Sequence, residues 1–265
     1  MTQLYIPPNA TNKIEEEGNI FLGIQGPSGS GKTASTLTFP NPIYALFDRP
    51  DLAGIRTLPH LKDTPEPYIY KFYSADFVVN TLKCPIAPHG VIDRRAAYRM
   101  FLKTEATKLT KEQTLVTDTW TGLQDCFDEI NWKEPRYTKD GKIDDFAFWD
   151  AKIEYAEEIH TLLKALKCNV VVTFHEMPER DKITGKILDK IQPLMQGKFI
   201  CKLKSYYPNF FRQRNRQIRD DKGNPIEGKR EFLWQTQSSD DFDAKCSKPL
   251  LPTYVPADYN SLISH

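Results

Sequence analysis

Short apolar segments separated by longer stretches of mixed polarity set the pattern of this chain. Residues 19–25, 42–48, 113–117 and 170–174 have the length and composition of buried strands. Residues 145–167 instead repeat apolar side chains at intervals of three and four, which predicts an amphipathic helix. Apolar strands that alternate with helices are typical of a parallel sheet covered on both faces. The pattern therefore predicts an α/β fold with a mostly parallel central sheet flanked by helices.

The remaining segments predict two further helices and, after residue 205, a region of strands without helices between them. Residues 32–38 and 91–110 are predicted to be helical. After residue 205, two strand-like segments at 210–219 and 231–236 are joined by the turn-rich stretch DDKGNPIEG, which predicts a C-terminal β-hairpin extension. The first eighteen residues are predicted to be irregular, and the rest of the chain to form one domain.

The composition favours a protein that folds without disulfides and without a membrane. The chain has 265 residues, with 36 basic and 35 acidic side chains, and a mean hydropathy of −0.53. Its apolar runs are far shorter than the roughly 20 residues that span a bilayer, and its N-terminus does not resemble a secretory signal. Because the cysteines are scattered and form no CxxC pair, free thiols in a reducing cytoplasm are expected.

The strongest motif is GPSGSGKT, which matches the phosphate-loop pattern GxxxxGK[ST] in full. Its glycines permit backbone angles at which successive N–H groups face a phosphate, and the following helix presents its positive end to the same anion. Lys32 supplies a charge for the β- and γ-phosphates, and the Thr33 hydroxyl is a ligand for Mg²⁺. The residues predicted to bind ATP with Mg²⁺ are Gly26, Pro27, Ser28, Gly29, Ser30, Gly31, Lys32, Thr33 and Ala34.

Polar side chains stand at the ends of the predicted strands. Asp118 ends the LVTD run, where a second metal ligand is expected opposite Thr33, although an aspartate there is also a common helix N-cap. His175 follows the VVVTF strand and is a candidate for sensing the γ-phosphate or orienting water, with a structural role as the alternative. Because ligands bind beyond the carboxyl ends of parallel strands, Gly26, Asp48, Asp118 and His175 are expected to meet.

In their order and spacing, these segments resemble the phage-encoded RecA-like ATPases of the Sak type, an AAA-type group that acts in single-strand annealing and recombination. The matching stretches are GPSGSGKT, PIYALFD, LVTDTWTGL, NVVVTFHE, GKILDKIQPLMQGKF and FDAKCSKPLLPTYVPAD. The resemblance implies a RecA-like P-loop domain over residues 19–265 that hydrolyses ATP on single-stranded DNA, in phage recombination or replication in the host cytoplasm. It also implies a homo-oligomer, ring or filament, with ATP at subunit interfaces, and makes a single-strand-binding protein a candidate partner.

The resemblance further implies that a neighbouring subunit directs basic residues at the γ-phosphate. Lys245 and Lys248 occupy the matching stretch, although the family often has Lys-x-Arg where this chain places Ser247 two residues after Lys245. Arginines of the segment 210–219 are alternative donors, or else they mark one exposed face of a strand. These arginines are Arg212, Arg214 and Arg216.

One family feature is missing from this chain. The family usually carries a glutamate two residues after the aspartate of its second strand, where it positions the attacking water, but here Arg49 and Pro50 follow Asp48. Asp48, Asp51 and Glu176 are the candidate substitutes, and slow hydrolysis or binding without turnover are the alternatives to rapid turnover. The predicted catalytic residues are thus Lys32, Asp48, Asp118, His175 and Glu176.

Two segments are candidates for contact with DNA, because cations follow phosphates while aromatic rings stack on bases. They are predicted loops at residues 131–145 and 177–198. The alternative is that both are solvated loops with ordinary charges. The predicted DNA-binding residues are Trp132, Lys133, Arg136, Tyr137 and Lys139 in the first, and Lys182 and Lys186 in the second.

Two other functions are compatible with a phosphate loop. A P-loop kinase would transfer the γ-phosphate to a small molecule and would need a lid with clustered arginines, for which Arg94, Arg95 and Arg99 are candidates. A nucleotide-gated assembly module would bind ATP without turnover.

Overall fold

A computed structural model describes residues 19–264, except for 50–51, 53–54, 56–60, 62–63, 65, 85, 87–89, 91, 134–136, 182–183, 196–198 and 248–250. Its strands are β1 (Phe21–Gln25), β2 (Pro42–Leu46), β3 (Tyr68–Lys71), β4 (Thr114–Asp118), β5 (Asn169–Phe174), β6 (Glu176–Arg180), β7 (Ile187–Pro193), β8 (Asn209–Arg219), β9 (Pro225–Gln235) and β10 (Tyr254–Pro256). Its helices are α1 (Lys32–Thr36), α2 (Arg94–Thr104), α3 (Trp120–Lys133), α4 (Asp145–Lys164), α5 (Phe199–Tyr206) and α6 (Tyr259–Ile263), with a π-helical segment at Phe77–Thr81 and a 3₁₀ turn at Ala106–Lys108. Among the helices of these described residues, none is both long and apolar enough to cross a lipid bilayer.

The central sheet has the strand order β10-β9-β8-β1-β5-β4-β2-β3. All neighbours from β8 to β3 are parallel, whereas β9 and β10 pair antiparallel at one edge. β6 and β7 form a separate antiparallel hairpin that follows β5. The predicted α/β fold, with a mostly parallel sheet, flanking helices and a C-terminal β-hairpin, is thus confirmed.

Both faces of the sheet are buried, which explains why its inner strands are apolar throughout. Successive side chains of a strand point to opposite faces, so Phe21 packs in one hydrophobic cluster while Leu22 and Ile24 pack in the other. Helices α2 to α5 cover the first cluster, and α1, α6 and Trp234 of β9 contribute to the second. Burial of this apolar surface, worth about 25 cal/mol per Å², holds the strands in register.

Several predicted segments differ from the structure. The second strand of the C-terminal hairpin, predicted over residues 231–236, is Pro225–Gln235 and so begins inside the predicted turn. The helix predicted over residues 91–110 begins only at Arg94, because the Asp93 carboxylate accepts hydrogen bonds from the Arg95 and Ala96 amides and caps the helix there, and it ends at Thr104. The loop predicted over residues 177–198 is wrong, since most of it is the β6–β7 hairpin. The hairpin turn is stabilised by Asp181, whose side chain accepts a hydrogen bond from the Thr184 amide at 2.6 Å.

The parallel strands β1, β2, β4 and β5 end at the same edge of the sheet. Gln25 at the end of β1 lies opposite Phe174 of β5, and Leu46 at the end of β2 lies opposite Asp118 of β4. β5 separates β1 from β4. The loop that follows β1 therefore faces Asp118 across the end of β5, and the predicted meeting of the strand ends is confirmed.

Candidate functional site

The GPSGSGKT segment forms a loop between β1 and α1 whose shape depends on glycine. Gly31 lies just before α1 with φ at +92°, in the left-handed region that other residues rarely adopt. A Cβ at Gly31 would also overlap the ring of Phe232 on β9. The loop is thus held against the C-terminal hairpin at a point where no side chain fits.

Gly31→Ala is expected to destabilise the protein by about 2–4 kcal/mol, because the strain of the left-handed backbone adds to the overlap with Phe232. Urea denaturation followed by circular dichroism measures this loss. Gly223→Ala is the matched control, since Gly223 has φ at +82° but a Cβ there would meet no atom within 4 Å, and it should lose only about 1 kcal/mol. Equal losses for the two variants would contradict the role of Phe232.

Lys32 begins α1 and is almost completely buried, with 6% of its surface exposed. Its Nζ donates hydrogen bonds to the carbonyl oxygens of Gly26 at 2.7 Å and of Pro27 at 2.9 Å. Burial lowers the pKa of Lys32 to about 8, although the nearby carboxylates, Asp118 first among them, oppose this shift. The ammonium group is therefore held inside the loop, where a phosphate would meet it.

Thr33 and Asp118 contact each other across the mouth of the loop. The Thr33 Oγ1 donates a hydrogen bond to Asp118 Oδ2 at 3.0 Å, and the Thr173 hydroxyl donates to Asp118 Oδ1. Asp118 is 3% exposed, and burial raises its pKa despite these two hydrogen bonds. One hydroxyl and one carboxylate oxygen at this distance fit the oxygen ligands that Mg²⁺ prefers, so both residues remain the predicted metal ligands.

A cleft of about 300 Å³ opens over the phosphate loop. Its outer wall contains Asp48, whose Oδ2 accepts a hydrogen bond from the Thr119 hydroxyl at 2.7 Å and lies 3.7 Å from His175 Nε2. The His175 ring and the Thr119 hydroxyl, acting against partial burial, lower the pKa of Asp48. The residues that line the cleft are Ser28, Gly29, Ser30, Gly31, Lys32, Thr33, Asp48, Arg49, Asp118, Thr119 and His175.

Glu176 does not line this cleft. Both of its carboxylate oxygens accept hydrogen bonds from Arg212, at 2.9 and 2.8 Å. Arg212 also contacts Asp241 at 2.6 Å, and Arg214 donates to the same Asp241 oxygen at 2.8 Å. Arg212, Arg214 and Arg216 therefore do not form one exposed face of the strand. Arg212 is only 9% exposed and is paired with carboxylates.

The basic residues predicted to act in trans are only partly described. Lys245 has an exposed side chain, whose Nζ donates to the carbonyl oxygen of Lys204 at 3.2 Å, and its backbone pairs with Phe210. Lys248 lies outside the described residues. Arg216 is exposed and pairs with Glu231.

The predicted DNA-binding residues are spread over three elements, and the first two lie on helix α3 rather than in the predicted loop. Trp132 and Lys133 end α3, and Tyr137 and Lys139 lie on an exposed turn closed by a bridge between Tyr137 and Ile143. Lys186 is exposed in the turn of the β6–β7 hairpin. Three further residues named from the sequence fall outside the described parts of the chain: Arg136, Lys182 and Asp51.

The arginines considered for a kinase lid are fixed on α2 by acidic neighbours. Arg94 contacts Glu129 at 3.6 Å, and Arg99 contacts Glu158 at 2.8 Å. Arg95 pairs with Asp93, the residue that caps α2. None of these three arginines lines the cleft, so the structure does not place them as a lid over the phosphate loop.

Four residues of the site escape the sequence motifs. Thr173 is the lone hydroxyl in the apolar strand β5, and this contrast with its neighbours is the signal that could have found it. Thr119 directly follows Asp118, and Arg49 directly follows Asp48, so both lie next to predicted residues. Gly122 in α3 leaves room for Asp48, since a Cβ there would come within 2.8 Å of Asp48 Oδ1. Only the approach of α3 to the residues that follow β2 reveals this last role.

Comparison with known proteins identifies a family whose model matches this chain. A family model described as an AAA domain matches residues 19–245, which is most of the chain. The sequence matches no curated protein. Among solved structures, an ATPase from the type III secretion system of pathogenic bacteria is similar over 74% of this chain, with 10% identity and a TM-score of 0.42; the match covers 51% of that ATPase, so this chain spans about half its length. The chain belongs to the AAA-domain family.

Proposed function

We propose that this protein binds and hydrolyses ATP with Mg²⁺ while acting on single-stranded DNA, as a RecA-like protein of phage recombination or replication. The observation that carries the nucleotide part is the contact between Thr33 and Asp118 at 3.0 Å, directly beside the buried Lys32. A hydroxyl, a carboxylate and an ammonium group converge there on one cleft, as a magnesium nucleotide requires.

Each residue of the loop has a defined task in this proposal. The backbone amides of the loop and the first turn of α1 bind the phosphate oxygens, and Lys32 exchanges its carbonyl partners for the β- and γ-phosphates. Thr33 and Asp118 hold the metal. When bound, Mg²⁺ supplies positive charge that stabilises the phosphate oxygens of the transition state.

The position of the two segments predicted to bind DNA, residues 131–145 and 177–198, supports the DNA part of the proposal. The β6–β7 hairpin starts immediately after His175, and α3 starts immediately after Asp118 and Thr119, so both extend from the edge that carries the cleft. Tyr137 is 62% exposed on its turn, beside exposed lysines. A stacked base contributes about 1–3 kcal/mol on such a ring.

We further propose a homo-oligomer, ring or filament, in which ATP lies at the interface between copies. Arg212 and Arg214 are engaged by carboxylates of their own chain, whereas the Lys245 side chain is exposed, as a residue that reaches a neighbour must be. A cation that arrives from a second copy would couple hydrolysis to assembly. A single-strand-binding protein is the proposed further partner.

Phosphate release measured with and without single-stranded DNA tests this function. A rate that rises with DNA supports the proposal. Transfer of labelled phosphate to a metabolite, without release, would favour the kinase. Oligomers that form with ATP while no phosphate is released would favour the assembly module.

The double variant Lys133→Ala with Arg136→Ala is expected to weaken binding of single-stranded DNA and to flatten its salt dependence. Each lost phosphate contact should reduce the slope of log affinity against log salt by about 0.7. Fluorescence anisotropy at several salt concentrations measures both effects. The control is Lys164→Ala with Lys167→Ala, two exposed lysines before β5, at the opposite edge of the sheet. Binding that is unchanged at every salt concentration would remove this segment from the interface.

A further inference from the structure

We propose that Asp48 is the residue that orients the attacking water and accepts its proton, with Thr119 and His175 as the residues that position it. This inference rests on the proposed hydrolysis of ATP. It assigns the catalytic role that the sequence motifs leave open among several carboxylates.

Two carboxylates near the phosphate loop are already engaged. Asp118 accepts a hydrogen bond from the Thr33 hydroxyl on one oxygen and from the Thr173 hydroxyl on the other, and it is the predicted metal ligand. Glu176 accepts hydrogen bonds from Arg212 on both oxygens. Its side chain is only 9% exposed, and it does not line the cleft. Each oxygen of these two carboxylates thus already has a hydrogen-bond partner within the protein.

Asp48 is far more exposed than either of these carboxylates. Its side chain is 48% exposed and lines the same cleft as Lys32 and Thr33. Its carboxylate contacts Thr119 and His175 through the same oxygen, Oδ2. The other oxygen, Oδ1, lies over Gly122, where the absence of a side chain leaves it room. Asp48 therefore combines a fixed orientation with access to the space above the phosphate loop.

The start of α3 holds this arrangement in place. The Gly122 amide donates to the Thr119 hydroxyl at 3.0 Å, and that hydroxyl donates to Asp48 Oδ2 at 2.7 Å. The His175 amide donates to the Thr121 hydroxyl at 3.2 Å, in the same turn. One helix turn thus positions Asp48 and His175 together, and it begins directly after the proposed metal ligand Asp118.

The chemical step is balanced with Asp48 in this role. The water oxygen forms a bond to the γ-phosphorus, the bond from that phosphorus to the bridging oxygen breaks, and the electron pair leaves with ADP. One proton of the water passes to Asp48 and from there to the released phosphate. The lowered pKa keeps Asp48 ionised at neutral pH, so it can accept a hydrogen bond from water throughout, which suits a loose transition state that needs orientation more than early proton removal.

The decisive experiment compares Asp48→Asn with Glu176→Gln, measuring phosphate release and ATP affinity separately. Asp48→Asn keeps an oxygen for Thr119 but loses the charge, so turnover should fall by about 10²–10⁴-fold, while the Kd for ATP by calorimetry changes less than about threefold. Glu176→Gln should lose much less turnover than Asp48→Asn. Asp221→Asn, at an exposed turn of the C-terminal hairpin, controls for general effects and should behave as the wild type.

A Glu176→Gln variant that loses as much turnover as Asp48→Asn, with ATP binding intact, would overturn the assignment. So would an Asp48→Asn variant that retains wild-type turnover. A wild-type protein that binds ATP but releases no phosphate refutes the proposed hydrolysis, and this inference with it. A protein that does not bind ATP at all refutes the nucleotide site itself.

Thr119 supplies a test of positioning that simple misfolding does not reproduce. Thr119→Val removes the hydrogen bond to Asp48 and should lower kcat about tenfold with KM unchanged. Thr119→Ser restores the hydroxyl and should restore kcat. A change in KM alone, or a serine variant no better than valine, would show that Thr119 only supports the fold.

Discussion

A Lys32→Ala protein is expected to lose ATP hydrolysis entirely and to bind ATP at least about 100-fold more weakly. The variant removes a buried ammonium group that would donate to two phosphates, and each hydrogen bond to a charged group is worth about 1.5–3 kcal/mol. Isothermal titration calorimetry measures the affinity, and phosphate release measures the turnover. Lys167→Ala, an exposed lysine before β5, is the control and should retain both.

The pH dependence of binding provides an independent test of Lys32. Burial lowers the pKa of Lys32 to about 8 in the ligand-free protein, so above this pH the side chain must take up a proton before it can attract phosphate. The affinity of the wild type for ATP should therefore fall as the pH rises through about 8, and Lys32→Ala should lack this fall. Equal pH profiles for the two proteins would contradict a charged Lys32 at the phosphates.

Asp118→Asn is expected to have opposite effects on stability and on function. Burial raises the pKa of Asp118, so the Asp118 carboxyl ionises more readily in the unfolded chain than in the native protein. Above the raised pKa, the buried charge therefore destabilises the fold. An asparagine still accepts a hydrogen bond from a threonine hydroxyl but carries no charge. The ligand-free variant should gain about 0.5–2 kcal/mol, seen as a Tm higher by a few degrees.

The same Asp118→Asn substitution should abolish the stabilisation that Mg²⁺ adds to the protein with ATP. Thermal unfolding with ATP alone, and with ATP and Mg²⁺, measures this difference directly. The wild type should show a clear rise in Tm on addition of Mg²⁺, and the variant none. The stability of the ligand-free wild type should also fall as the pH rises through the raised pKa, whereas that of the variant should not. A variant that still responds to Mg²⁺ would exclude Asp118 as a metal ligand.

The phosphate loop is predictable from the sequence because its chemistry is local. Glycines, Lys32 and Thr33 stand within eight consecutive residues, and the loop shape follows from the backbone angles that glycine allows. Asp118 is predictable as well, since the end of an apolar strand and the expected metal chemistry both point to it. The structure brings Asp118 within 3.0 Å of Thr33, although 85 positions separate them in the sequence.

Other parts of the site are not predictable, because they depend on contacts between distant segments. Glu176 follows His175 in sequence and has the same chemistry as the other candidate carboxylates. However, β8 pairs with β1, and this pairing places Arg212 where it donates hydrogen bonds to both oxygens of Glu176. The β6–β7 hairpin has the sequence character of a loop, since charged residues and prolines interrupt its apolar side chains and its burial is shallow. Neither feature leaves a periodic signal in the chain.

The amino-acid sequence by itself determines the alternation of strands and helices, the phosphate loop and the residues that end each strand, because short-range sterics and the burial of apolar side chains dictate them. Tertiary structure alone decides which carboxylates face the cleft. Strand order and helix packing bring Arg212 to Glu176 and Gly122 to Asp48. Hydrogen bonds and charges act over a few ångströms of space, and the chain does not encode that distance in the number of residues between two groups.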